Sequence, residues 1–184
     1  MYLCNSIRLP SSTMQCCICL EDLGNPWDTE TPSKVYTQYS CCGRPAHRKC
    51  AAEAARHRST CPWCRGPLPG SNEECLCLLR AGARADRGWA FYALAEHYRG
   101  QTSVGSNRLA IALHERAIVH LKKDDWSQKF VLGSKYIIAV ILYNQNRSRT
   151  LPEPVRKRIR KLLTEAAAGG HPRAKIALET MHGI

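Results

Sequence analysis

The chain has 184 residues, enough for one medium-sized domain or two small ones. Its 27 lysines and arginines outnumber 15 aspartates and glutamates, which gives a formal net charge of +12. The longest apolar run, residues 136–143, is far shorter than the roughly 20 residues of a membrane helix, so we expect a soluble protein without a membrane partner. Basic residues are not interleaved with aromatic ones, which favours a solvated basic surface over a nucleic-acid site.

Cysteine is confined to the N-terminal part of the sequence. Nine of the eleven cysteines lie at or before Cys64, and only Cys75 and Cys77 follow. The first eight residues lack the apolar stretch of about 7–15 residues that is typical of a secretory signal. We therefore expect a reducing compartment, cytoplasmic or also nuclear, where paired cysteines are more often metal ligands than disulfides.

Four pairs of potential metal ligands follow one another along this part. Three of them are separated by two residues, a spacing that lets both side chains of one tight turn reach a tetrahedral ion at about 2.0–2.3 Å. Residues 51–56, between the third and fourth pairs, have a strongly helix-favouring composition. The pairs are Cys16 with Cys19, Cys41 with Cys42, His47 with Cys50, and Cys61 with Cys64.

The series Cys-Cys-Ile-Cys-Leu-Glu, Cys-Cys-Gly-Arg-Pro-Ala-His-Arg-Lys-Cys and Cys-Pro-Trp-Cys-Arg, within residues 16–65, resembles a RING finger. The resemblance implies a cross-brace with two structural Zn²⁺ ions, which suits a module too small to fold on an apolar core alone. Seven thiolates and two Zn²⁺ ions would lower the net charge from +12 to +9. The implied ligands are Cys16, Cys19, His47 and Cys50 for one ion, and Cys41, Cys42, Cys61 and Cys64 for the other.

The second pair leaves an alternative open, because Cys41 and Cys42 are adjacent where the family usually has a gap. Both side chains reach one ion only through a particular backbone bend, for which Gly43 offers freedom. Otherwise the fourth ligand would be a water molecule or a nearby residue such as His57. A solvent-facing histidine at a helix end is the plainer interpretation of His57.

A histidine in the fifth ligand position also occurs in the plant-homeodomain finger, which reads histone tails. That family typically has a tryptophan two residues before the seventh ligand, where this chain has Ser59. Trp63 lies inside the last pair instead. The motif therefore favours the RING family over a histone-tail reader.

The RING resemblance also implies a function, that of a ubiquitin-protein ligase. Ile18, Pro62 and Trp63 would form a shallow groove for a ubiquitin-conjugating enzyme that carries ubiquitin. Arg65 would be the catalytic residue, since its forked, permanent charge suits contact with both the enzyme and ubiquitin. Each residue also has a plain structural interpretation. Ala51, where ligases often have a larger apolar residue, favours a non-enzymatic scaffold.

Residues 66–72 interrupt regular structure and mark a domain boundary. We predict a flexible N-terminus at 1–12, the zinc module at 13–66, a linker at 67–73 and helical repeats at 74–184. Helical spacing of largely apolar residues supports helices near 89–96 and 109–116 and over 127–145, with two more from Glu153 and Pro172. The basic cluster within 156–161 fits a solvated face of an amphipathic helix better than a nuclear-localisation patch.

The helical part also repeats itself. Residues 90–94 recur at 174–178, and residues 113–117 resemble residues 162–166. The alanine-rich patterns from Ala90 and from Ala166 resemble the Sel-one-like subclass of tetratricopeptide repeats. The resemblance implies an α-solenoid that binds a protein substrate or adaptor. The expected fold class is thus a small zinc-stabilised α+β cross-brace module followed by an all-α helical-repeat domain.

Overall fold

The computed structural model covers the cysteine-rich part and the helical part of the chain. It describes residues 15–23, 36–101, 103–121, 125–146 and 151–181. Residues 1–12, for which we predict a flexible N-terminus, lie outside the described residues, as does most of the loop between Leu20 and Ser40.

A two-stranded sheet and one helix form the regular part of the cysteine-rich module. Strands β1 (Tyr36–Gln38) and β2 (Pro45–His47) pair antiparallel, with Tyr36 opposite His47. Helix α1 (Arg48–His57) follows β2 directly, so Cys50 lies in its first turn. The third ligand pair therefore lies at the junction of β2 and α1, with His47 at the end of the strand and Cys50 in the helix.

Six further helices follow within the described residues. They are α2 (Asn72–Arg84), α3 (Gly88–Arg99), α4 (Val104–His120), α5 (Asp125–Gln145), α6 (Glu153–Ala168) and α7 (Pro172–Thr180). The prediction of a cysteine-rich module followed by a helical part is confirmed. Helix α2 begins inside the predicted linker because the Ser71 hydroxyl accepts a hydrogen bond from the Glu74 N–H at 3.2 Å, which caps the first turn.

Each helix packs mainly against the next helix in the sequence. Small residues allow the close approach. A Cβ atom on Gly82 of α2 would lie 2.8 Å from the Cβ atom of Ala90 on α3, and Ala90, Ala110 and Ala117 are fully buried. A Cβ atom on Gly88 would lie 2.6 Å from the backbone nitrogen of Leu121. Because contacts are made between neighbours, the stability of the helical part depends on successive interfaces.

The helix starts reproduce the internal spacing of the sequence. Helix α3 begins at Gly88 and α7 at Pro172, which are 84 residues apart, the same offset as residues 90–94 and 174–178. Ala90 and Ala174 occupy equivalent positions in these helices, and both are fully buried. None of the described helices is long and apolar enough to cross a membrane.

Helix α7 begins at a buried histidine. His171 is only 5% exposed, and its Nδ1 accepts a hydrogen bond from the Ala174 N–H at 3.2 Å. Its ring stacks on that of Tyr136, with centroids 4.5 Å apart. Burial and the nearby charge of Arg173 lower the pKa of His171 to about 4. The fold therefore holds this imidazole in its neutral form.

The low pKa of His171 predicts a pH-dependent stability. The unfolded chain takes up this proton near pH 6.5, whereas the folded chain resists it until about pH 4. The free energy of unfolding should therefore fall as the pH is lowered through this window, by roughly 3 kcal/mol at most. The measurement is urea unfolding at a series of pH values, followed by circular dichroism.

The control variant is His171→Asn, which retains a capping side chain but does not titrate in this range. As the pH falls, the unfolding free energy of the wild type should decrease more than that of His171→Asn. Parallel pH curves for the two proteins would refute the role given to His171.

Candidate metal centres

Residues 16–20, here called the first metal turn, fold back tightly on themselves. The Cys16 N–H donates to the carbonyl of Glu21 at 2.8 Å, and the Leu20 N–H donates to the carbonyl of Cys16 at 2.9 Å. Leu20 has a left-handed backbone with φ of 63°. This conformation turns the chain back, so that the carbonyl of Glu21 meets the Cys16 N–H. Cys16 and Cys19 lie in the same group of potential ligands.

Residues 61–65, the second metal turn, have the same form. The Cys61 N–H donates to the carbonyl of Gly66 at 2.7 Å, and the Arg65 N–H donates to the carbonyl of Cys61 at 2.9 Å. Arg65 is left-handed with φ of 59°, as Leu20 is in the first turn. The shared spacing of two cysteines therefore corresponds to a shared backbone geometry.

Eight potential ligand atoms form two groups. They come from the two metal turns and from residues 41–42 and 47–50. Within each group all ligand atoms lie within 4.8 Å of one another. The first site consists of Cys16, Cys19, His47 and Cys50, and the second site of Cys41, Cys42, Cys61 and Cys64. The sites interleave along the chain, and each of them could hold one metal ion.

The second site has the dimensions of a tetrahedral thiolate site. Four sulfurs at about 2.3 Å from a tetrahedral ion lie about 3.8 Å from each other. The Sγ atoms of Cys42 and Cys61 are 3.8 Å apart, and those of Cys41 and Cys64 are 3.4 Å apart. The adjacent cysteines Cys41 and Cys42 thus both reach the same site.

The first site has one potential nitrogen ligand, His47. A backbone carbonyl on the far side of its imidazole ring orients it. His47 Nδ1 lies 3.3 Å from the Sγ atom of Cys19 and 3.9 Å from that of Cys50. On the other side of the ring, Nε2 lies 3.3 Å from the carbonyl oxygen of Asp22. When Nε2–H donates to this carbonyl, Nδ1 is left as the metal ligand, which is how histidine ligands are commonly oriented.

Within each site, the thiols differ from one another in their pKa values. Burial opposes ionisation of Cys16, but backbone N–H donors from its own turn and from His47 lower its pKa to about 6. Burial also opposes ionisation of Cys61, whose pKa is nevertheless lowered by the N–H donors of its turn. Burial raises the pKa of Cys42 to about 12 and that of Cys50 to about 11. A metal ion must therefore displace protons when it binds.

His57, the alternative fourth ligand, does not belong to either site. Its Nε2 atom lies 2.9 Å from Oε1 of Glu53 on the exposed side of α1. Cys41 lies in the second site instead. The bend that this requires occurs at Gly43, whose φ is +73°.

The remaining described cysteines lie outside the two ligand groups. Cys17 packs against the core of the module, and its burial raises its pKa to about 11. Cys75 and Cys77 lie on α2, where Cys75 is partly buried and Cys77 is exposed. Cys4 lies outside the described residues.

The proposed docking residues lie on the two metal turns. Ile18 packs against the buried core that contains Cys16 and Cys61. Pro62 is partly buried, Trp63 is 49% exposed, and Arg65 is exposed. The same core therefore supports both turns.

Arg44 is a neighbour of this surface that sequence reasoning missed. Its guanidinium carbon lies 4.3 Å from the ring centroid of Trp63, which is cation–π geometry. The two residues are distant in sequence, and the pairing of segments at the second site brings them together. No local motif around Arg44 carries a signal for this contact.

In the helical part, one histidine lies between a serine and a glutamate. His114 Nδ1 is 3.1 Å from the Ser134 hydroxyl, and its Nε2 is 3.4 Å from Glu96 Oε1 without hydrogen-bond geometry. The order of groups is that of a hydrolytic triad. Ser134 and His114 are fully buried, so no substrate can reach them. The three residues instead join α3, α4 and α5.

The basic cluster of α6 lies on its exposed side, opposite the buried residues Ile159 and Leu163. Its ion pairs join Arg156 and Lys157 to Glu153, Arg158 to Glu115, and Lys161 to Glu165. Exposed pairs of this kind contribute little to stability. The arrangement fits a solvated face of an amphipathic helix.

The chain matches no protein-family model, no curated protein and no solved structure. Its function must therefore be inferred from its own geometry. The two four-ligand groups are the most specific chemical feature of that geometry.

The two sites predict a binding stoichiometry of two metal ions per chain. Cys42→Ser should remove one ion, because it takes a sulfur from the second site and leaves the first site intact. Cys41→Ser should have the same effect. Elemental analysis of the purified protein measures the metal content.

Cys17→Ser is the matched control, because Cys17 neighbours a ligand in sequence but lies in neither group. This variant should retain two ions. Full metal content in Cys41→Ser would remove Cys41 from the second site.

Proposed function

We propose that both ions are Zn²⁺ and that the module is a RING-type cross-brace. Sites of four cysteines, or of three cysteines and one histidine, in tetrahedral geometry are typical of structural zinc. Protein atoms would occupy every coordination position, so the ions would serve folding and not hydrolysis. The interleaving of the two ligand groups is the feature that RING modules share.

We further propose that the chain is a RING-type ubiquitin-protein ligase. The observation that carries this proposal is the packing of both metal turns on one core, with Trp63 exposed on the second turn. Ile18, Pro62 and Trp63 would dock a ubiquitin-conjugating enzyme. Arg44, stacked on Trp63, would add a positive charge to the same surface.

Arg65 is suited to a role in positioning ubiquitin. Its left-handed backbone costs about 1–2 kcal/mol for a residue with a side chain. Leu20 has the same conformation in the first turn, so the turn geometry requires it at both positions. A metal ion in the second site would hold this turn, and with it the position from which the exposed Arg65 side chain extends.

The chemistry proposed for this ligase is non-covalent. The conjugating enzyme supplies the thioester to ubiquitin, and a substrate lysine attacks that thioester. Arg65 would bridge the enzyme and ubiquitin, which favours one reactive arrangement of a flexible conjugate. The contribution of this chain would be orientation of the reactants.

The helical part would hold the protein substrate or an adaptor. We propose that it is a Sel-one-like array, since neighbouring helices pack in sequence and the starts of α3 and α7 follow the repeat offset. In such arrays, stacked helix pairs build an extended surface for proteins. The array would bring the bound protein close to the module.

A non-enzymatic scaffold is the second candidate. It is favoured by Ala51, a small residue on α1 where ligases often have a larger apolar one, and by the absence of fully buried residues in the described helix α1. A weak groove would reduce affinity for a conjugating enzyme. A histone-tail or nucleic-acid reader has less support, because the described basic cluster of α6 is largely ion-paired.

Ubiquitin transfer in a purified system tests the ligase proposal. The zinc-loaded protein with ubiquitin, activating enzyme and a panel of conjugating enzymes should build ubiquitin chains. Arg65→Ala should lower the rate about tenfold or more, corresponding to roughly 1.4 kcal/mol in the transition state. The metal content should stay at two ions.

Arg58→Ala is the control, because Arg58 is an exposed arginine of the same module that lies outside the two metal turns. This variant should retain the wild-type rate. Inactivity of the wild type with every conjugating enzyme in a broad panel would favour the scaffold.

A further inference from the structure

Trp89, at the start of α3, lies between the metal-binding module and α2. A Cβ atom on Gly43 of the module would lie 2.4–2.6 Å from Cγ, Cδ1 and Cδ2 of the Trp89 indole. A Cβ atom on Gly82 of α2 would lie 3.3 Å from Cη2 at the other end of the ring. Two glycines thus make room for one indole, one from each part of the chain.

The turn that receives Trp89 belongs to the second metal site. The carbonyl of Tyr39 accepts hydrogen bonds from the N–H groups of Cys42, at 3.3 Å, and Gly43, at 2.7 Å. The Tyr39 N–H donates to the carbonyl of Arg44 at 3.0 Å, which closes the turn. Cys41 and Cys42 are ligands of the second site, so a metal ion there would stabilise the turn at Gly43.

We propose that Trp89 is a positioning residue that locks the metal-binding module onto the helical domain in one orientation. The second metal site maintains the turn into which the indole fits. This interlock goes beyond the proposed ligase function and holds equally for a scaffold. Its consequence is a fixed spatial relation between the exposed metal turns and the helical array.

Backbone NMR relaxation of the full-length, zinc-loaded chain tests the interlock. In the wild type, amides of residues 36–70 and of α3 to α7 should share one rotational correlation time. In Trp89→Ala the correlation time of residues 36–70 should fall below that of the helices. Trp63→Ala is the control for loss of an indole, and it should tumble as the wild type does.

A substitution on the module side tests the same contact without changing the helices. Gly43→Ala adds a methyl group against the indole, and it should also separate the two correlation times. Gly170→Ala is its matched control, because Gly170 has a similar φ of +87° but open space around its Cβ position. This control should leave one shared correlation time.

The two substitutions should also be coupled in stability. Gly43→Ala should lower the unfolding midpoint of the wild type more than that of Trp89→Ala, because removal of the indole makes room for the methyl group. The strain of an alanine in the left-handed conformation at position 43 is present with and without the indole. It therefore cancels from the difference between the two midpoint shifts. One shared correlation time in both Trp89→Ala and Gly43→Ala, together with additive midpoint shifts, would overturn the proposal.

Discussion

The module depends on one constraint. Its fold must bring four potential ligand side chains together at each of two candidate metal sites. The segments that supply the ligands are separated by up to about thirty residues, and little apolar material holds them together otherwise. The buried cluster of the module is small: Cys16, Leu23, Tyr39, Ala46 and Cys61. Two of its five members, Cys16 and Cys61, also belong to the two groups that could hold metal. The core of the module and its candidate metal sites therefore share residues, and we expect removal of bound metal to disturb both.

The helical part rests on a different physical basis. Its core is apolar, with Phe91, Ile138, Ile159 and Leu163 among the fully buried side chains, and each helix depends mainly on its neighbours. The two parts meet at Trp89, which fits against a turn of the second metal site. A rigid junction of this kind would let the metal turns act at a fixed distance from a protein held by the helices. Both the ligase and the scaffold proposals benefit from such a fixed geometry.

Features that depend on local sequence patterns could be predicted from the sequence. Contacts between segments that are distant in sequence could not. Ligand spacing predicted the four pairs, and the resemblance to RING fingers predicted how these pairs combine into two groups that could hold metal. The starts of α6 and α7 lie at the predicted residues Glu153 and Pro172. Periodicity located α4 but not its buried face, where small Ala110 and Ala117 are buried while Leu109 is exposed. The contacts of Arg44 with Trp63 and of Gly43 with Trp89 depend on folding of the whole module. No short pattern encodes such contacts, because they join segments that are far apart in sequence.

The interleaving of the two ligand sets along the chain underlies everything proposed for the module. It is tested most directly by replacing the native metal with an NMR-active cadmium isotope and recording correlations between each cadmium nucleus and its ligand protons. We predict two cadmium signals with separate ligand sets. One should correlate with Cys16, Cys19, His47 and Cys50, and the other with Cys41, Cys42, Cys61 and Cys64. A single signal, or one ion correlated with both Cys16 and Cys41, would contradict the interleaved arrangement.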